Sequence, residues 1–234
     1  LAFSGFAIGF IARPLGGVIF GHLGDKYSRK MTLIITLTLM GASTFFIGLL
    51  PTYAHIGILA PIALITLRFV QGVASGGEWG GGVLMLSENA PENQKGYYTA
   101  WSQVGVSGGF VLSSLAFYLV QLLPQEAVMA WAWRIPFLLS LFIFLVGVYI
   151  RRNIQENAEF VARKAQTEGQ KEETHLPVLS ACKNYPRAIL QAIGLRLAEN
   201  GAVYIFFTFS VVYCKHIGID TREVIAAVTI AMAV

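Results

Sequence analysis

Apolar residues in this chain come in long blocks separated by short polar segments. The charge-poor runs are Leu1 to Gly21, Met31 to Pro51, Leu59 to Ser87, Thr99 to Leu123, Trp131 to Ile150 and Ile189 to Cys214. A hydrocarbon core of roughly 30 Å needs about 20 apolar residues of helix, so each run is long enough to cross a bilayer. A seventh run starts near Val224 and reaches only Val234, too short for a crossing. The pattern predicts an all-α fold, a polytopic membrane helix bundle.

Composition supports that reading, because 55% of the 234 residues are hydrophobic and only 13% are charged, unlike a soluble domain of this length. The apolar runs extend to both chain ends, with no leading Met, charged leader or signal-like cleavage site. The sequence is therefore expected to be a fragment. Cys182 and Cys214 fall on opposite faces of the membrane and match no metal-ligand spacing, so neither a disulfide framework nor a zinc site is expected. The formal charge of +4 could suit nucleic acid, but the basic residues are scattered between apolar spans. A lipid bilayer is the expected partner, and no nucleic acid.

Those scattered cations set the orientation, since Lys and Arg near span ends are enriched on the cytoplasmic side. One set of alternating connections holds Lys26, Arg29, Lys30, Lys95, Arg151, Arg152, Arg163, Lys164, Lys171, Lys183 and Arg187; the opposite set holds Arg134, Lys215 and Arg222. The first set is expected in the cytoplasm. Most connections are short, but 151–188 is long, mixes both signs of charge over 151–173, and is interrupted by Pro177 and Pro186. It reads as a cytoplasmic linker between a lobe over 1–150 and the start of a second lobe over 189–234.

Five ionisable residues lie inside the apolar runs: Arg13, Arg68, Glu78, Arg196 and Glu199. Such a residue costs about 2.5 to 3.5 kcal/mol at a helix centre on insertion scales, so it normally faces a partner or a water-filled cavity. Arg196 and Glu199 are three apart and share a helix face, where they can pair as structural glue. Arg68 and Glu78 are separated by about 15 Å of helix rise and must find other partners. Glu78 is the candidate proton carrier, because burial favours the neutral form of a carboxyl group. Arg68 suits a carboxylate substrate through its planar fork, or else ties neighbouring helices together.

Glycines crowd the same region: Gly72, Gly76, Gly77, Gly80, Gly81 and Gly82 in the third run, Gly105, Gly108 and Gly109 in the fourth. Close helix approach accounts for most of them. A phosphate-cradling loop does not fit, because 76–82 lacks a Gly-Lys-Ser/Thr ending and lies within an apolar span. Ser113 and Ser114 have no His/Asp arrangement to activate them, and His22, His55, His175 and His216 sit at span ends or in loops. No enzyme and no cofactor is indicated.

The segment Gly21-His-Leu23-Gly24-Asp25-Lys26-Tyr-Ser28-Arg29-Lys30-Met-Thr-Leu33 resembles the loop signature between the second and third helices of the major facilitator superfamily, with Ser28 where the pattern has Gly. Arg68-Phe-Val-Gln71-Gly72-Val-Ala-Ser-Gly76 resembles the family's fourth-helix pattern, associated with proton coupling. With Gly77-Glu78-Trp79-Gly80-Gly81, Arg13-Pro14-Leu15-Gly16-Gly17 and Trp133-Arg134-Ile135-Pro136-Phe137, the chain is similar to the metabolite:proton symporter branch, whose members carry shikimate, oxoglutarate, citrate, proline or betaine. The resemblance implies a partial major facilitator fold, about helices two to eight of twelve, in a bacterial inner membrane. The absence of a Gly-Pro pair in 105–109 sets it apart from the family's drug:proton antiporters.

Together, the resemblance and the intramembrane charges imply a monomeric, proton-coupled symporter of a small organic acid or zwitterion, rocking two lobes about a midplane site. Arg13, Arg68, Gln71, Glu78, Arg196 and Glu199 are the expected substrate-binding and proton-coupling residues, and Asp25, Arg29 and Lys30 the expected cytoplasmic gate. A facilitator or antiporter of the same fold, or a non-transporting membrane sensor, would share these signatures.

Overall fold

A computed structural model describes residues 2–153 and 183–233, and these are helical apart from short connections. The helices are α1 (Ala2–Lys26), α2 (Arg29–Leu49), α3 (Tyr53–Ile56), α4 (Leu59–Asn89), α5 (Lys95–Gln121), α6 (Gln125–Ala130) and α7 (Ile135–Asn153), then α8 (Pro186–Val203), α9 (Ser210–His216) and α10 (Thr221–Ala233). A π-helical segment, Tyr204–Phe209, joins α8 to α9. Six stretches are long and apolar enough to cross a membrane: Ala7–Lys26, Arg29–Leu49, Leu59–Asn89, Glu92–Gln121, Ala132–Asn153 and Pro186–Cys214. These coincide with the six apolar runs. Most of the linker expected over 151–188, with Pro177 and Cys182, lies outside the described residues; Arg151 and Arg152 form the last turn of α7.

The described residues fall into two compact units, one drawn from Leu1–Gln103 and Ala130–Glu172, the other from Val104–Met129 and Glu173–Val234. In the first, α1 packs along α4, while α2 packs on both α4 and α7. In the second, α8, the π segment and α9 run on as one span, and Gly218, at φ 88°, turns the chain into α10. That positive φ is open to glycine at no steric cost.

Ser28 explains how α2 starts. Its backbone is extended and its Oγ accepts the Met31 N–H at 3.0 Å, so the hydroxyl caps the helix where the family loop has a glycine. Further along α2, the buried hydroxyls of Thr36 and Ser43 donate to the carbonyls of Leu33 (3.1 Å) and Leu39 (2.6 Å), which satisfies them within their own helix. Helix α7 runs antiparallel to α2. Near one end Lys30 Nζ donates to the Arg152 carbonyl at 2.7 Å, and near the other Arg134 donates to the Leu50 carbonyl at 3.1 Å.

The α1–α4 contact depends on small residues. A Cβ added at Gly16 would overlap the backbone of Val73, one at Gly72 the backbone of Gly9, and one at Gly76 the backbone of Arg13. Without those Cβ atoms the two backbones meet directly, the arrangement by which membrane helices gain packing where no hydrophobic drive separates them from lipid. Gly77 likewise receives the ring and Cβ of Phe20. The expectation of close approach holds for Gly72, Gly76 and Gly77. It does not extend to Gly80, Gly82, Gly105, Gly108 and Gly109, where an added Cβ meets nothing within 4 Å among the described residues.

This contrast is testable by thermal unfolding in detergent. Gly76→Ala forces α1 away from α4 and is expected to destabilise by about 1–3 kcal/mol, the range for overpacked sites. Gly80→Ala, four residues on, is expected to be neutral or slightly stabilising, because alanine has the better helix propensity. Equal effects at the two positions would remove the backbone contact as the organising feature.

Candidate functional site

A cavity of about 280 Å³ opens beside the α1–α4 crossing. Its lining is Gly5, Gly9, Phe10 and Arg13 from α1, Met40 from α2, and Arg68, Gln71, Gly72 and Ser75 from α4. Gly9 and Gly72 are the residues whose backbones touch, so the contact that joins the two helices also forms one wall. Three of the residues expected from sequence to handle substrate, Arg13, Arg68 and Gln71, are brought together here.

The two arginines are held differently. The Arg68 guanidinium donates to Gln71 Oε1 at 2.8 Å, and Gln71 Nε2 donates to Thr44 Oγ1 at 2.7 Å. Thr44 donates its own hydroxyl proton to the Met40 carbonyl at 2.7 Å. This chain of bonds fixes the Gln71 amide, and through it the orientation of a fork that still has further N–H donors to offer. Arg13 instead lies over the Phe10 ring, its Cζ 4.1 Å from the centroid, an attraction between cation and ring quadrupole that leaves its hydrogen-bond donors uncommitted. The described lining therefore carries two guanidinium charges and no carboxylate. Chemically it can accept an anion, with planar forks suited to a carboxylate.

Glu78 is elsewhere. It is absent from that lining and its Oε1 is ion-paired with Arg151 of α7 at 2.5 Å; Arg151 also donates to the Leu33 carbonyl of α2. Sequence reasoning placed Arg151 in the linker and so missed it. The available signal was position: an arginine in the last turn of a span has a side chain long enough to reach back into the bundle. Thr44 and Phe10 were also missed. Thr44 had no signal in the sequence, whereas Phe10 stands three residues before Arg13, on the same helix face.

The expected gate residues gather at the α1–α2 turn. Asp25 pairs with Arg29 one turn on at 3.6 Å. Arg29 also makes an ion pair with Glu88 near the end of α4, and Lys30 holds the Arg152 carbonyl. The start of α2 is thereby tied to the ends of both α4 and α7. In the second unit Arg196 and Glu199 of α8 form the pair that their spacing allowed, and the π segment begins five residues after Glu199. No group of three or more His, Cys, Asp or Glu among the described residues could hold a metal ion.

Comparison with known proteins places this geometry in a family. The model described as Major Facilitator Superfamily matches residues 1–234. The chain belongs to the major facilitator superfamily. Within that superfamily it is 43% identical over 213 residues to the shikimate transporter of Escherichia coli (strain K12), covering 91% of this chain and 48% of that protein. It is 38% identical over 209 residues to the inner membrane metabolite transport protein YhjE of the same strain, covering 89% and 47%. It is 37% identical over 221 residues to the glycine betaine/proline/ectoine/pipecolic acid transporter OusA of Dickeya dadantii (strain 3937), covering 92% and 44%. The chain thus spans about half the length of the relatives it matches.

Among solved structures it resembles the major facilitator proton:xylose symporter XylE, with a TM-score of 0.73 at 15% identity, covering 98% of this chain and 56% of that one. At that identity the likeness shows the fold alone. The protein is a multi-pass membrane protein of a transporter family, similar to proteins named as metabolite transporters.

The Arg29–Glu88 pair predicts a coupling energy. Side-chain exposures of 18% and 26% leave it partly shielded, so a double-mutant cycle of Arg29→Gln and Glu88→Gln in thermal unfolding should give about 1 kcal/mol. Strict additivity of the two substitutions would mean that the pair does not hold α2 to α4.

Proposed function

We propose that this chain forms part of a secondary active transporter of a bacterial inner membrane, working by alternating access and coupling uptake of a small organic acid or zwitterion to protons. The observation that carries the reading is the convergence of Arg13 and Arg68 on one cavity whose described lining holds no carboxylate. Two unneutralised cations within an apolar span are costly, and an anionic substrate group offsets that cost when it binds. Arg68, oriented by Gln71 and Thr44, takes the carboxylate; Arg13 supplies the second charge from the facing helix.

In this reading Glu78 handles the proton. Asp25, Arg29 and Lys30 belong to the cytoplasmic gate, and Arg196 and Glu199 contribute from the second lobe. The functional unit is the monomer. The shikimate transporter and OusA, by their names, carry a carboxylic acid and zwitterions, which is the chemistry a guanidinium cavity would recognise.

Uptake of shikimate, proline and betaine into proteoliposomes bearing the protein at its full natural length tests the coupling. Accumulation should follow an imposed inward proton gradient and collapse with an uncoupler. Gradient-independent equilibration would instead mark a facilitator, and binding without flux a sensor. Arg68→Gln should lower apparent affinity for a carboxylate substrate by about 10- to 100-fold, the loss of one charge-assisted bond, with Arg68→Lys in between because it keeps the charge but not the fork. Glu78→Gln should reduce gradient-driven accumulation far more than it reduces substrate exchange.

A further inference from the structure

Glu78 and its surroundings form a second site, distinct from the arginine cavity. Helix α4 rises about 15 Å between Arg68 and Glu78, and the carboxylate meets there a guanidinium that three helices share. Arg151, in the last turn of α7, reaches Glu78 Oε1 on α4 at 2.5 Å and the Leu33 carbonyl on α2. Beside it Lys30 of α2 binds the Arg152 carbonyl at 2.7 Å. Helices α2, α4 and α7 are therefore joined through one arginine side chain and one lysine.

The pair is asymmetric in a way that a purely structural bridge does not require. Only Oε1 of Glu78 is engaged, while Oε2 is buried and has no hydrogen-bond partner among the described residues. A buried carboxylate oxygen with nothing donating to it is costly in free energy, and protonation removes the charge that carries most of that cost. Among the described residues, the helices packed against α4 each bring a group near this position. From α7 comes Arg151; from α2, Lys30 lines the same groove as Arg151 with its ammonium already bound; and α1 sets the uncharged Phe20 against the neighbouring Gly77.

We infer that Glu78 and Arg151 form a proton-operated brace that links the coupling proton to the substrate cavity through α4 and α2. A proton taken up from water onto Oε2 neutralises the carboxylate. Arg151 then loses its counter-ion and keeps only the Leu33 carbonyl, so α7 loosens from α4. Helix α4 also carries Arg68 and Gln71, and α2 carries Thr44. Helix α4, released at the brace, carries the carboxylate-binding fork itself, while α2, still held through the Leu33 carbonyl, carries the threonine that helps to orient it. Arg151 acts here as a positioning residue, since it touches neither substrate nor the cavity. The inference rests on the reading of Glu78 as the proton-coupling group, and it adds the partner and the route by which protonation is felt.

Hydrogen–deuterium exchange of the full-length protein in nanodiscs, without substrate, tests the brace independently of transport. Protection factors for the last turns of α7 should fall in the wild type as the pH is lowered, by about tenfold or more, the weight of one charge-assisted hydrogen bond. Glu78→Gln should show the low protection at every pH, and Arg151→Gln the same. Arg151→Lys, which keeps the charge, should recover part of the pH response. A wild-type profile flat with pH would overturn the brace, even if uptake proves proton-driven, and so would a pH response that survives in Glu78→Gln. The reverse outcome, a clear Glu78-dependent response in a protein whose uptake ignores the gradient, would keep the brace and remove symport.

Discussion

Direct backbone contact between α1 and α4 is the constraint on which the first unit is built. In lipid no hydrophobic drive brings two apolar helices together, so association depends on close fit, and here the fit is reached by omitting Cβ atoms at Gly16, Gly72 and Gly76 where the facing backbone arrives. The register this sets has a chemical consequence. It puts Arg13 and Arg68, far apart in the chain, on the rim of one cavity with Gly9 and Gly72 as its wall. Helix packing and the meeting of the two guanidinium groups are two results of a single alignment of helices.

Charge at membrane depth is treated in three ways. Arg196 and Glu199 neutralise each other within one helix, the arrangement with the smallest demand on the rest of the fold. Glu78 is neutralised by a cation from another helix, which makes its charge state a matter of interhelical contact. Arg13 and Arg68 meet no carboxylate in their cavity; one rests on an aromatic ring and the other on an amide held by a threonine. The order runs from self-contained, through coupled, to open for an anion.

The end of the first unit that bears the α1–α2 turn is tied by ionic and charge-assisted contacts: Asp25 to Arg29, Arg29 to Glu88, Lys30 to Arg152, Arg151 to Glu78. Such contacts are directional and charged, unlike the glycine contact, which is a fit of backbone against backbone. One joint is made of backbone and the other of charge.

Much of this protein was legible before any tertiary structure. Six spans could be located because apolar length is a property of the local chain, and the Arg196–Glu199 pair because helical spacing alone decides it. Ser28 as a cap lay within reach for the same reason, being a contact over three residues. What tertiary structure decided were the partners of residues far apart in sequence. Periodicity says that Arg68 must find something; it does not say that Gln71 and Thr44 orient it and that Arg13 shares its cavity. Nor does composition separate Gly76, which meets a backbone, from Gly80, where an added Cβ meets nothing within 4 Å among the described residues. Both glycines satisfy the same local rule, and only the rotation of one helix about another determines which of them a neighbour touches. For the same reason Arg151, counted among the scattered basic residues outside the spans, proved to be the counter-ion of Glu78.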